Sequence, residues 1–137
     1  MGMSPNPKKR VLIADDDKDL CACLEHALVE KYEVIKVYDG VSGLAMAMKY
    51  LPDLVLLDIT MPKMSGYQMM DMMKRNPQLK DVPVIFVTAK TSPQDTAFAM
   101  KKGAVGYITK PFDIEKLIEM IDKTLNPPPQ PEQTPAQ

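Results

Sequence analysis

An α/β fold, a five-stranded parallel sheet with helices against both faces, is what this sequence predicts, and two observations carry that reading. Five short apolar runs alternate with five stretches of helical period, an order that implies right-handed crossovers between parallel strands. Most of the runs are rich in Val, Ile and Leu at successive positions, the pattern of strands covered on two sides rather than one. A chain of 137 residues is one domain's worth of core, and at that length folding buries roughly two thirds of the surface the unfolded chain exposes.

The strands are expected over Val11 to Ala14, Glu33 to Val37, Asp53 to Leu57, Val82 to Val87 and Ala104 to Ile108. Between them, Lys18 to Lys31, Gly40 to Tyr50, Ser65 to Arg75, Pro93 to Lys102 and Asp113 to Leu125 read as helices. The last has the clearest stripe, with Ile114, Leu117, Ile118, Ile121 and Leu125 on one side and Asp113 at the N-cap position. The domain proper is expected over 10–125. Residues 1–9 form a short N-terminal extension, and 126–137, with five prolines and no large apolar residue, are expected to be a disordered tail or linker stub.

Composition narrows the function classes. At 45% hydrophobic and 26% charged residues the chain resembles a soluble globular protein. No apolar run approaches the ~20 residues of a membrane span, and the basic N-terminus is followed by a short run ending in three aspartates, not a secretory segment. A cytoplasmic protein is expected. The net charge of -1 argues against direct binding to a nucleic-acid backbone. Cys21 and Cys23 sit two apart on a helix and point to different faces, so two reduced, partly buried thiols are expected. His26 has no partner at ligand spacing and reads as a surface residue, and Met69, Met70, Met72 and Met73 read as adaptable core and groove packing.

In an open parallel sheet the site forms from loops at the carboxyl ends of the strands. There the first strand delivers Asp15 and Asp16 with Asp17 next, the third Asp58, the fourth Thr88, and the fifth Lys110 followed by Pro111. Each alone has an ordinary structural explanation, such as a helix cap, a turn or a solvated lysine. Together, three carboxylates at one rim repel unless a cation holds them. All-oxygen ligands point to magnesium, bound with waters and a phosphate, and a lysine and a hydroxyl opposite suit phosphoryl oxygens.

Four segments then carry a resemblance. Val11-Leu12-Ile13-Ala14-Asp15-Asp16-Asp17, Leu54-Val55-Leu56-Leu57-Asp58 through Met61-Pro62-Lys63-Met64-Ser65-Gly66, Val84-Ile85-Phe86-Val87-Thr88-Ala89 and Gly103 through Lys110-Pro111-Phe112 resemble response-regulator receiver domains, in order, over about the first 125 residues. The resemblance implies a flavodoxin-like (βα)5 fold with strand order 2-1-3-4-5 and a cis Lys110-Pro111 bond. It implies that Asp58 is the phospho-acceptor. Magnesium would be held by Asp16 directly, Asp15 mainly through water, Asp58, and the Ile59 carbonyl. Lys110 would pair with the phosphoryl oxygens, Thr88 would be the switch hydroxyl and Tyr107 the switch aromatic. Thr60 and Lys90 would flank the hydrolytic water and tune the phosphoryl lifetime.

By the same resemblance, the donor would be a sensor histidine kinase or a histidine phosphotransfer protein. The output would be a downstream protein target or a tethered output domain, with a phosphorylation-dependent dimer as one form of it. The chain would be no enzyme beyond assisting its own phosphoryl transfer and loss. A haloacid-dehalogenase-type phosphatase also phosphorylates a strand-end aspartate, but it needs Asp-x-Asp-x-Thr or Val where this chain has Asp15-Asp16-Asp17-Lys18-Asp19. A receiver-like adaptor that no longer takes phosphate is the other alternative, and the full set of acidic, hydroxyl and lysine residues speaks against it.

Overall fold

A computed structural model describes residues 7–127. Its elements run β1 (Arg10–Ala14), α1 (Lys18–Leu28), β2 (Glu33–Val37), α2 (Gly40–Tyr50), β3 (Leu54–Leu57), α3 (Gly66–Lys74), β4 (Val84–Thr88), α4 (Pro93–Lys101), β5 (Gly106–Thr109) and α5 (Ile114–Leu125). The strands form one sheet in the order β2-β1-β3-β4-β5, and every pairing is parallel. This is the expected doubly wound arrangement, and the order reverses between β1 and β3.

Alternation along each strand divides the core in two. Leu12, Ala14, Val55, Leu57, Val84 and Phe86 face α2, α3 and α4. Val11, Ile13, Leu54, Leu56, Ile85 and Val87 face α1 and α5. The central strands β1, β3 and β4 are thus buried on both sides, whereas the edge strands β2 and β5 are only partly covered. Every helix starts with a side-chain cap: Asp17, Asp39, Ser65, Ser92 and Asp113 each accept a backbone N–H from the first turn, and Ser65 forms a reciprocal capping box with Gln68.

Several details depart from expectation. α1 stops at Leu28, because the N–H groups of Lys31 and Tyr32 both return to the Leu28 carbonyl and close a turn. β4 begins at Val84 and not Val82, since Val82 bonds back to Leu79 and Pro83 has no N–H to give. β5 begins at Gly106 and reaches Thr109, because Ala104 is tied to Ala99 of α4. Of the two cysteines, Cys21 is buried and Cys23 exposed, so they are not alike. Burial pushes the Cys21 thiol up to about 12. Met69, Met70 and Met73 are core as expected, but Met72 is exposed. His26 is exposed on α1, as expected. The expectation for 126–137 falls, beyond Pro127, outside the described residues. Among the described residues no helix is long and apolar enough to cross a membrane.

Candidate functional site

The adjacent ends of β1 and β3 bring the acidic residues together. The Asp15 N–H extends the ladder to the Val37 carbonyl at 3.1 Å, and the Asp58 N–H donates to the Ala14 carbonyl at 3.0 Å. Both carboxylates are therefore fixed by backbone and almost buried, with Asp15 3% and Asp58 7% exposed. Asp16, the next residue in the turn, faces solvent. One carboxylate oxygen from each of Asp15, Asp16 and Asp58 lies within 4.8 Å of the others. Asp17 turns away to cap α1, accepting the Leu20 N–H at 3.0 Å.

Opposite the carboxylates stands Lys110, past the end of β5, where the Lys110-Pro111 bond is cis as expected. Its own N–H donates to the Thr88 carbonyl at 2.8 Å, tying the lysine to the end of β4. The ammonium donates to Asp15 Oδ2 at 2.7 Å and to Asp58 Oδ2 at 3.0 Å. Burial alone would lower the lysine pKa, but these two bonds outweigh it and hold the ammonium above its ordinary value. Burial raises the Asp15 carboxyl above its usual range, despite Lys110 and the Asp17 N–H, which pull the other way.

Three strand-end residues share one local device. Asp15 Oδ1 accepts from the Asp17 N–H at 2.9 Å, Asp58 Oδ1 from the Thr60 N–H at 3.3 Å and Thr88 Oγ1 from the Lys90 N–H at 3.4 Å. Each side chain is thereby aimed by the peptide two residues on. Thr60 and Lys90 themselves are exposed on the rim. The Ile59 carbonyl takes the Gly66 N–H at 2.8 Å and keeps a second lone pair. That close approach requires glycine, since a Cβ at position 66 would stand 2.2 Å from the Asp58 carbonyl oxygen.

One ammonium against three carboxylates leaves the rim with uncompensated negative charge. The donor set is all oxygen and includes an exposed carboxylate with no hydrogen-bond partner among the described residues, a combination that suits a hard divalent cation. Asp15, Asp16, Asp58 and the Ile59 carbonyl could hold one.

Beside the rim lie the other expected residues and some that sequence reading missed. Tyr107 pairs across the sheet with Phe86, and its hydroxyl donates to the Lys90 carbonyl at 2.8 Å. Burial pushes that hydroxyl up to about 12. The Lys90 backbone thus touches both Thr88 and Tyr107. Tyr67, unforeseen, stands edge-on to Phe86 and Phe98 at 5.3 and 4.9 Å between centroids, joining α3 to β4 and α4. Lys102, the residue that caps the end of α4, also reaches Asp71 of α3 at 2.9 Å. The usable signal was sparse aromatics: four of the chain's eight Phe and Tyr residues meet here.

Comparison with known proteins bears on the sequence and the fold. The model of the response regulator receiver domain matches residues 11–122. Response regulator ArlR of Staphylococcus aureus is 36% identical over 122 residues, 88% of this chain and 54% of that protein. A probable cyclic di-GMP phosphodiesterase of Vibrio cholerae is 38% identical over 117 residues, 85% of this chain and 26% of the relative. The chain therefore spans between about a quarter and about half of the length of these curated relatives. Among solved structures, chemotaxis protein CheY4 of Vibrio cholerae superposes with a TM-score of 0.81 at 31% identity, covering 87% of this chain and 100% of CheY4. The carboxylate rim and its lysine lie on a fold and in a sequence frame that both lead to one family, and this chain belongs to the response regulator receiver domains of two-component signalling.

Proposed function

We propose that Asp58 accepts a phosphoryl group from a phosphohistidine, carried by a sensor histidine kinase or a histidine phosphotransfer protein, and that this repacks the face formed by α4, β5 and α5. The observation that carries the reading is the Lys110 ammonium held at once by Asp15 and Asp58, 2.7 and 3.0 Å away. It fixes one Asp58 oxygen and leaves Oδ1, with only a long 3.3 Å bond, as the freer nucleophile. That oxygen attacks phosphorus, the P–N bond breaks and the imidazole departs, leaving an acyl phosphate. Lys110 then offsets charge on the phosphoryl oxygens.

Magnesium, when bound, neutralises phosphoryl oxygens that would otherwise be repelled by the carboxylates. Asp16 would contact it directly, Asp15 mainly through water, with Asp58 and the Ile59 carbonyl completing the set. Water later attacks the phosphorus and releases inorganic phosphate, and Thr60 and Lys90 on the exposed rim tune how readily it arrives. No other substrate is proposed for this chain. The haloacid-dehalogenase alternative has no support from the family match.

Signalling follows from the Thr88 hydroxyl. Its resting bond from the Lys90 N–H is long, 3.4 Å, whereas a bond to a charged phosphoryl oxygen contributes about 1.5–3 kcal/mol. Turning toward Asp58 frees the Lys90 segment to which Tyr107 is tied, so Tyr107 can leave its surface position and move inward. The repacked face would be read by a downstream protein, by a tethered output domain or by a second copy. One relative, RpaA of Synechocystis, is named a DNA-binding transcriptional regulator, and this chain matches 47% of it; here no direct nucleic-acid contact is proposed. Beryllofluoride with magnesium tests the reading. Amide shifts at Asp58, Thr88, Tyr107 and α4 are expected in the wild type and not in Asp58→Asn, and an unchanged spectrum in the wild type overturns it.

A further inference from the structure

α3 and α4 are equally long and unequally anchored. Each has nine residues, but α3 buries Gly66, Met69, Met70 and Met73, whereas α4 buries Ala99 alone. Little apolar burial therefore fixes α4, and an element held so lightly is moved at small cost. Side chains of α3 supply a second hold on it.

That hold consists of two rungs one helical turn apart. Tyr67 and Asp71 stand at i and i+4 on α3 and so share a face, and Phe98 and the C-cap residue Lys102 stand at i and i+4 opposite them. In the first rung the rings of Tyr67 and Phe98 meet edge to face, 4.9 Å between centroids and 87° between planes. The Tyr67 hydroxyl also donates to the Asp95 carbonyl in the first turn of α4, at a long 3.4 Å. In the second rung the Lys102 ammonium donates to both Asp71 carboxylate oxygens, at 2.9 and 3.2 Å. The rungs are coupled, because the same ammonium lies 5.2 Å from the centroid of the Phe98 ring. Tyr67 further leans on Phe86 of β4, the ring that Tyr107 meets from β5 at 6.4 Å. The clasp and the switch aromatic thus converge on one side chain.

We infer that this clasp holds α4 in its resting place against the phosphate response, with Tyr67 and Asp71 as its positioning residues. The inference rests on the proposed repacking of α4, β5 and α5: a Tyr107 that moves inward comes toward Phe86, and α4 must adjust while Tyr67 and Asp71 hold it. Asp71 is 45% and Lys102 25% exposed, and such an ion pair adds little to the stability of a whole fold. It suffices to bias an element whose two positions are nearly balanced. Loosening the clasp shifts α4 toward its phosphorylated arrangement before any phosphate arrives, and by linkage raises the affinity of the rim for a phosphoryl mimic.

The test compares the full wild-type chain with Asp71→Asn, Lys102→Met, the two combined, and the charge-swapped pair Asp71→Lys with Lys102→Asp. Without magnesium or beryllofluoride, amide hydrogen exchange from Ala97 to Lys101 should quicken severalfold in either single variant while β1 and β3 stay protected. The combined variant should add nothing to one substitution, as coupled residues require, and the swapped pair should restore slow exchange. With magnesium present, half-saturation by beryllofluoride should need about threefold less of it in the single variants, a gain that damage to the fold cannot produce. A wild type whose α4 amides ignore beryllofluoride overturns the proposed function and this inference together. A wild type that responds, beside variants that match it in exchange and affinity or bind beryllofluoride more weakly, overturns the inference alone.

Discussion

Adjacent aspartates at the end of β1 have different work because the chain turns between them. Asp17 caps α1, whereas Asp16 is exposed beside Asp15 and Asp58. The two should separate cleanly by mutation. Asp17→Ala is expected to lower stability by about 1 kcal/mol, the usual cost of an N-cap, with little effect on magnesium affinity. Asp16→Ala should do the reverse, weakening magnesium binding severalfold or more while the melting temperature holds. Calorimetric magnesium titration beside thermal unfolding reads both, and equal effects on metal binding would remove Asp16 from the ligand set. Thr88 gives a second contrast. Thr88→Ala retains Asp58 and Lys110 and should still take phosphate, yet lose the amide shifts at α4 and Tyr107. A full wild-type response in that variant would mean the coupling bypasses the hydroxyl.

Elements differ in how legible they were in the sequence, and the reasons are local. β1 and β3 stood out because both faces are buried, leaving an unbroken apolar run, and α5 because its stripe is regular. The ends of β4 and β5 were misplaced where backbone bonds decide: Val82 turns back to Leu79 and Ala104 to Ala99, neither of which periodicity registers. The rim aspartates, Thr88 and Lys110 were legible since each sits at a strand end. Tyr67 and the Asp71–Lys102 pair were not, because the packing of α3 on α4 is a tertiary fact with no spacing of its own. α5 carries a further element-scale prediction. Its Asp122 accepts from the Tyr32 hydroxyl and from Lys31 at 3.1 Å, and the tyrosine bond, with the lysine beside it, holds the carboxyl below its ordinary value. A depressed carboxyl pKa adds stability above the unfolded value, and that stability is lost as pH falls through the folded one. Asp122→Asn should therefore cost about 1 kcal/mol near neutrality, with the gap to wild type closing below a pH of about 4. A gap that persists in acid would show that shape and not charge matters at this position.

At the scale of the molecule, the parallel sheet sends every strand toward one rim, so the polar residues gather there while helices cover both faces. The other end of the sheet is structural: Lys8 reaches the Val29 carbonyl, Lys9 the Leu125 carbonyl, and Asn126 Nδ2 the Tyr32 hydroxyl at 3.2 Å. Truncation after Pro127 should leave the melting temperature unchanged, since the segment removed has no apolar side chain large enough to bury. A fall of several degrees would show that it docks. The central claim, that Asp58 is the phosphorylated residue, is tested most directly by intact-mass measurement after incubation with acetyl phosphate and magnesium. The account predicts the mass of one phosphoryl group on the wild-type chain and none on Asp58→Asn; equal incorporation in the two proteins would contradict it.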